Sequence, residues 1–211
     1  MIIVSYKYVK TMPIIKKPLE EFFQSIEEKL YYYATKRDYE LHVSPVYEDS
    51  SNRWWYQIYI DFDTTNKGVV EKFIKHEIKL KSNFFVEITN HGYHLVSKIA
   101  YGPITKDDLA RIRKFGIEKL SKVYKGLDAV VSFRHLPAKR CISITRGKRI
   151  VPINIPTFLK LSRQEMEKLQ IKYAKTTEKT LYKWLHEYVV PKEFLPVKQA
   201  PSFILEGLRY E

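Results

Sequence analysis

Cysteine is almost absent from this chain, since Cys141 is the only one in 211 residues. A single thiol cannot form an intramolecular disulfide or a multi-cysteine zinc site. The six histidines are scattered along the sequence, which also disfavours a structural zinc site. We therefore expect a protein of a reducing compartment, with a cytoplasmic location.

Long apolar runs and several catalytic signatures are also missing. No apolar run approaches the roughly 20 residues that span a bilayer, and Lys7 follows Met1 too closely for a signal peptide. We expect no membrane association. The sequence has no phosphate-binding loop, no dinucleotide-binding glycine fingerprint and no Ser/His/Asp pattern, which argues against a P-loop ATPase and a serine hydrolase.

Acidic residues are scarce relative to basic ones. The chain has 37 Lys and Arg against 24 Asp and Glu, for a net charge of +13. Such a surplus favours a polyanionic partner, with nucleic acid ahead of a membrane surface. Lysine-rich surfaces also mark thermophilic proteins, and both interpretations stay open.

What is present is a regular alternation of strand and helix patterns. The predicted helices cover residues 19–36, 66–81, 105–124, 162–175 and 177–188. The predicted strands cover 39–47, 54–63, 84–89, 93–97 and 128–133, with a hairpin of 141–144 and 150–153 and an edge strand or arm within 1–17. This order predicts an α+β fold, a mostly antiparallel sheet with helices packed on it.

Local signals refine these elements. Residues 39–63 are predicted to form one hairpin around a polar turn at 48–52, and Gly102-Pro103 is predicted to end a strand. Capping patterns start helices at Asn66, Thr105 and Ser162. The residues predicted to face inward from the third helix are Leu109, Ile112, Ile117, Leu120 and Val123. The tail from residue 191 is predicted to be irregular.

Two aspartates at the end of the strongest strand pattern suggest a metal site. Asp61 and Asp63 follow an aromatic run, and in a strand they would point the same way about 7 Å apart. Carboxylate oxygens are preferred ligands of Mg²⁺ and Mn²⁺. Asp128, at the start of a later strand, is the candidate third carboxylate. Each aspartate could instead belong to an ordinary turn.

Candidate anion-binding residues surround these aspartates in the sequence. His94 follows a glycine turn and could contact a phosphate, or could be a satisfied core histidine. A basic cluster follows Asp128; its members are Arg134, Lys139, Arg140, Arg146, Lys148 and Arg149. Such a cluster can bind a triphosphate or a nucleic-acid backbone, although many charged runs are only solvated surface.

These segments, in this order, resemble the archaeo-eukaryotic primase superfamily, which includes the primase small subunit and plasmid and virus primase-polymerases. The resemblance rests on residues 59–63 (YIDFD), 89–94 (TNHGYH), 127–132 (LDAVVS) and 134–137 (RHLP). The family carries a hydrophobic-Asp-x-Asp strand, a turn ending in Gly-x-His, a hydrophobic-Asp strand, and an Arg-x-Pro segment with a following lysine. The resemblance covers roughly residues 54–150.

The resemblance implies an RRM-like palm and roles for individual residues. Asp61, Asp63 and Asp128 would be catalytic and would hold Mg²⁺ or Mn²⁺. The implied nucleotide-binding residues are His94, Thr89, Asn90, Arg134, Lys139 and Arg140, and the implied nucleic-acid-binding residues are Arg146, Lys148 and Arg149.

This sequence departs from the family pattern in four respects, one of which is that the segment from Asp128 to the arginine motif is shorter than in cellular primases. The serine of the histidine motif is absent, with Thr89 or Asn90 as its substitute. One additional residue lengthens the arginine segment, so that Arg134 or His135 fills the arginine position. No cysteine cluster is present, which implies a compact member without a zinc stem.

The expected function is therefore a DNA primase or primase-polymerase that synthesises primers on single-stranded DNA from nucleoside triphosphates. A helicase or a primase large subunit is a candidate partner. The alternatives are a primer-extending repair polymerase of the same fold and a non-catalytic primase-like nucleic-acid-binding subunit. The expected division is a catalytic domain over 1–157 and a helical segment over 158–211 that covers the sheet or forms a small subdomain.

Overall fold

The computed structural model describes residues 2–6, 39–43, 45–49, 51–79, 83–89, 91–130, 140–143, 151–174 and 191–211. Within these ranges the strands are β1 (Ile2–Tyr6), β2 (Tyr39–Val43), β3 (Val46–Glu48), β4 (Trp54–Phe62), β5 (Phe84–Ile88), β6 (Tyr93–Ile104), β7 (Leu127–Val130), β8 (Arg140–Ser143), β9 (Val151–Asn154) and β10 (Glu193–Pro196). The α-helices are α1 (Lys67–Phe73), α2 (Lys106–Phe115), α3 (Ser121–Val123), α4 (Ile155–Lys160), α5 (Arg163–Ala174) and α6 (Ser202–Leu208). Predicted helices 19–36 and 177–188 lie outside the described residues.

The strands form two sheets, and the fold is α+β with mostly antiparallel pairing, as predicted. The larger sheet has the order β3-β4-β6-β5-β9, with β7 paired to β4 and β10 paired to β6. Its one parallel pair among the described residues is β10 with β6. The smaller sheet has the order β1-β2-β8, so β1 is at the edge among the described strands, which agrees with the first of the two alternatives predicted for residues 1–17, an edge strand or an arm.

The two faces of β4 belong to different buried clusters. Ile58, Ile60 and Phe62 belong to the main core, which also contains residues of α1, α2 and α6. Phe73 of α1 is central to it, because its ring lies 5.4 Å from Phe62 and 5.4 Å from Phe203. Tyr59 belongs to a separate buried cluster. Since side chains alternate along a strand, Asp61 lies on the Tyr59 face, away from these helices.

Helix starts agree closely with the capping patterns. The Thr105 hydroxyl accepts from the Asp108 amide, while the Asp108 carboxylate accepts from the Thr105 amide at 2.8 Å. Asn66 caps α1 by accepting from the Gly68 amide at 3.0 Å. Ser162 and Glu165 pair in the same reciprocal way at the start of α5. None of the helices in the described ranges is long and apolar enough to cross a bilayer.

The inward face predicted for the third helix is only partly correct. Leu109, Ile112 and Leu120 are buried, but Ile117 is 46% and Val123 is 56% exposed. The reason is a π-helical turn over Gly116–Leu120 between α2 and α3. A π turn adds a residue, so it rotates the following side chains away from the face that a 3.6-residue period predicts.

One predicted hairpin is confirmed only in part, and a second is wrong for the described residues. The predicted strand 39–47 is divided between β2 in the smaller sheet and β3 in the larger one, so only β3 pairs with β4. The predicted hairpin of 141–144 and 150–153 is not seen among the described residues, where β8 pairs with β2 and β9 pairs with β5. The polar turn at 48–52 is confirmed, and the Asp49 carboxylate closes it by accepting from the Ser51 and Arg53 amides.

Two predictions of irregular structure are also wrong. β6 continues through Gly102 and Pro103 to Ile104. Trp54 pairs with Ile104 and Tyr56 with Tyr101, so β6 carries an extra residue there, and such an irregularity accommodates a proline, which lacks an amide proton. The tail from residue 191 is regular, since β10 joins the sheet and α6 joins the core.

Candidate active site

Three ionisable side chains form a row across adjacent strands of the larger sheet. Asp61 of β4 is directly opposite His94 of β6, and His94 is directly opposite Glu87 of β5. Directly opposed residues project to the same face of a sheet. The His94 Nδ1 atom lies 3.1 Å from Glu87 Oε2, and its Nε2 atom lies 3.6 Å from Asp61 Oδ1. We refer to Asp61, His94 and Glu87 as the ionisable row.

Asp128 reaches the same end of the sheet through an irregular pairing. Strand β7 pairs with β4 so that Asp61 is opposite Ala129 and Phe62 is opposite Leu127. Asp128 is therefore the additional residue of a β-bulge, a feature that often redirects a side chain beside an active site. Asp63 follows β4 directly, and both Asp63 and Asp128 are exposed to solvent.

The electrostatics of Asp61 show that the predicted carboxylates are neighbours. Burial is the main cause that raises the pKa of Asp61 above its usual value, since its side chain is only 30% exposed. His94 acts in the opposite direction, while the negative charges of Asp128, Asp63 and Glu87 raise the pKa further. The structure thus places Asp63, Asp128 and His94 within electrostatic reach of Asp61; the catalytic and binding roles predicted for these residues stay predictions.

These carboxylates do not form a complete set of metal ligands in the described part of the chain. Over the part of the chain that the structure describes, no three His, Cys, Asp or Glu side chains converge closely enough to hold one metal ion as they stand. What the structure provides is a concentration of negative charge around Asp61. Asp63 and Asp128 would have to turn toward Asp61 to share a cation with it.

Two glycine turns press against the segment that carries the aspartates. A Cβ atom on Gly92 would lie 1.8 Å from the carbonyl oxygen of Phe62, so only glycine fits. Gly126 has a left-handed backbone (φ 99°), and a Cβ there would lie 2.7 Å from Cβ of Thr64. Residues 62–64 are thereby held between the turn before β6 and the turn before β7.

Thr89 lies in the first of these turns and stabilises it. Its hydroxyl oxygen accepts from the Gly92 amide at 2.8 Å, and its own amide donates to the Gly92 carbonyl at 3.1 Å. The hydroxyl and the amide of the threonine predicted to bind nucleotide thus both form hydrogen bonds within the turn. Asn90, its alternative, lies outside the described residues.

Arg163 is a residue of this site that the sequence did not reveal. From the start of α5 its guanidinium donates to the carbonyl oxygens of Thr89 at 2.7 Å and Gly92 at 3.1 Å. The same group lies 4.8 Å from the centre of the Tyr93 ring. Arg163 therefore fastens the turn that precedes His94. Since it is more than seventy positions away in sequence, no local pattern could have indicated it.

Replacing this arginine should destabilise the protein. We expect Arg163→Met to lower the free energy of unfolding by about 2 kcal/mol, because it leaves two carbonyl groups without a charged donor. Urea denaturation measures this change. The matched control is Arg111→Met, which removes an exposed arginine paired with Asp108 and should cost less than about 0.5 kcal/mol. Equal losses in the two variants would contradict a specific role for Arg163.

Glu87 was also missed, although the sequence carried a signal for it. It is the one charged residue in β5, whose five residues are all buried. An acidic residue inside such an apolar strand requires polar partners. In the structure one of these partners is His94.

Most of the predicted basic cluster cannot be placed in the site. Arg134, Lys139, Arg146, Lys148 and Arg149 lie outside the described residues. The backbone of Arg140 lies in β8, in the smaller sheet, opposite Val43. The roles predicted for these residues stay predictions.

Comparison with known proteins does not assign the chain to a family. No protein-family model, curated protein or solved structure matches it.

Proposed function

We propose that this chain is a template-dependent nucleotidyltransferase that synthesises primers on single-stranded DNA. The observation that carries the proposal is the pairing of Asp61 with His94 on adjacent strands, with Asp63 and Asp128 within electrostatic reach of Asp61. These four groups come from β4 and its end, from β6 and from β7, at one end of the sheet. A mostly antiparallel sheet with helices on one face is also compatible with the RRM-like palm that the resemblance implies.

The carboxylates suit a divalent cation. Hard oxygen ligands fit Mg²⁺ or Mn²⁺. Burial is the main cause that raises the pKa of Asp61, and the negative charges of Asp128, Asp63 and Glu87, which a cation would offset, raise it further. Asp61, Asp63 and Asp128 are the residues that would hold the cation. When bound, the metal would activate a 3′-hydroxyl and neutralise charge on the triphosphate.

The proposed reaction is the transfer of a nucleotide, in which side chains of this protein would bind the phosphates and the template. In the proposed reaction the 3′-oxygen of the growing strand bonds to the α-phosphorus, and the bond to the β-phosphate breaks to release pyrophosphate. His94 would contact the phosphates through Nε2, the nitrogen that faces Asp61. The net charge of +13 would favour a single-stranded template.

One observation favours a second candidate, a non-catalytic nucleic-acid-binding subunit. Among the described residues the carboxylates are neighbours without converging on a single point. A subunit that binds nucleic acid but performs no chemistry would not need them to converge.

The test is a primer-synthesis assay. The protein is incubated with single-stranded DNA, labelled nucleoside triphosphates and Mn²⁺, with and without an annealed primer. We expect labelled product without primer. Product only with primer would instead support a primer-extending polymerase. Binding to DNA without product under either condition would support the non-catalytic candidate.

A further inference from the structure

Glu87 is a buried carboxylate to which the proposed reaction assigns no role. It is 2% exposed, in a strand whose neighbouring residues are apolar and buried. Burying a charged group is costly unless other groups compensate it. One compensating contact is with His94, at 3.1 Å from Nδ1.

The imidazole of His94 is held on three sides. Glu87 lies at Nδ1, and the Tyr59 ring packs against it with ring centres 4.9 Å apart. Asp61 lies on the side of Nε2. The side chain of His94 is 13% exposed, so the ring has little freedom to turn over. Its two nitrogens therefore have different neighbours: Nδ1 faces the buried carboxylate of Glu87, and Nε2 faces Asp61.

We propose that Glu87 is a positioning residue that acts through His94. Its carboxylate accepts the Nδ1 proton, and this fixes the ring orientation so that Nε2, whose own N–H would donate to a phosphate oxygen, faces the ligand. A carboxylate at one histidine nitrogen sets the state of the other in this way at metal sites and in catalytic triads. That the ligand is the triphosphate of a nucleotide rests on the proposed function; the state of the ring does not.

The ring state is measured first, in the ligand-free protein. Long-range proton–nitrogen NMR spectra of ¹⁵N-labelled wild type should show a proton on Nδ1 of His94. In Glu87→Gln, whose amide can donate to Nδ1, we expect the Nδ1 proton to be lost. The matched control, Glu77→Gln, removes a carboxylate that accepts from the Tyr124 hydroxyl and should leave the His94 signals unchanged.

Two results would overturn the inference. One is a wild-type His94 that carries its proton only on Nε2, which requires no variant to observe. The other is a folded Glu87→Gln whose His94 signals equal those of wild type. Because no nucleotide is present, both results are independent of whether the protein makes primers.

The kinetic consequence is tested separately in the primer-synthesis assay. Glu87→Gln should raise the KM for nucleotide about tenfold while kcat changes less, because without the carboxylate at Nδ1 the ring would hold its phosphate-facing N–H less firmly toward the bound substrate. The double variant Glu87→Gln/His94→Ala should be no worse than His94→Ala alone. Additive losses would show that Glu87 does not act through His94. Absence of product from wild type would count against the proposed function and leave the NMR result standing.

Discussion

Asp61→Asn is expected to abolish primer synthesis while making the protein more stable. Loss of a central carboxylate ligand should reduce the rate at least about 1000-fold, equivalent to about 4 kcal/mol in the activation barrier. The stability effect has the opposite sign because burial and neighbouring carboxylates raise the pKa of Asp61. A neutral side chain of the same shape removes that repulsion.

The pH dependence of this effect has a definite sign. The folded protein retains the Asp61 proton to a higher pH than the unfolded chain, in which the pKa is about 3.9. Stability therefore falls as pH rises from that value through the folded pKa. Thermal melts should show a higher melting temperature for Asp61→Asn than for wild type at pH 7, and a smaller difference near pH 4.

Two controls make this prediction specific. Asp107→Asn changes an exposed aspartate in the first turn of α2 and should retain primer synthesis. Mn²⁺ should raise the melting temperature of wild type more than that of Asp61→Asn, because binding to the folded state stabilises it. An Asp61→Asn protein with wild-type activity would refute the catalytic assignment.

Gly92→Ala should cause the largest loss of stability among these variants. The new methyl group would overlap the Phe62 carbonyl and lie 3.0 Å from the Thr64 amide nitrogen. These are backbone atoms at the end of β4, so a side-chain rotation cannot relieve the overlap. We expect the free energy of unfolding to fall by about 3 kcal/mol or more, as measured by urea denaturation.

Gly68→Ala is the matched control for this substitution. Gly68 is exposed in the first turn of α1, where a Cβ would lie 3.2 Å from the Asn66 side-chain oxygen. Alanine is the better helix former, so the change should stay within about 1 kcal/mol. A Gly92→Ala protein as stable as Gly68→Ala would show that the turn can move away from β4.

Sequence patterns predicted well what local physics determines. The aromatic run of β4 and the caps at Asn66, Thr105 and Ser162 depend on residues within a few positions, and the structure confirms them. The grouping of Asp61, Asp63, Asp128 and His94 came from the family resemblance, which linked segments that no periodicity connects.

The failures have physical causes of a different kind. The exposed Ile117 and Val123 follow from a π turn, which breaks the regular period on which the prediction depended. β2 and β8 lie next to apparent hairpin partners in sequence but pair with each other in the smaller sheet. Strand partners depend on long-range packing, which single-sequence patterns do not contain.

The contact between Arg163 and the turn before His94 has a consequence for how the protein is made. During synthesis, β4, β5 and β6 leave the ribosome before α5 does, because chains emerge from the N-terminus onward. The carbonyl groups of Thr89 and Gly92 acquire their guanidinium donor only when residue 163 has emerged. A nascent chain or truncated product that ends earlier contains every residue of the ionisable row, yet lacks the group that fastens its supporting turn.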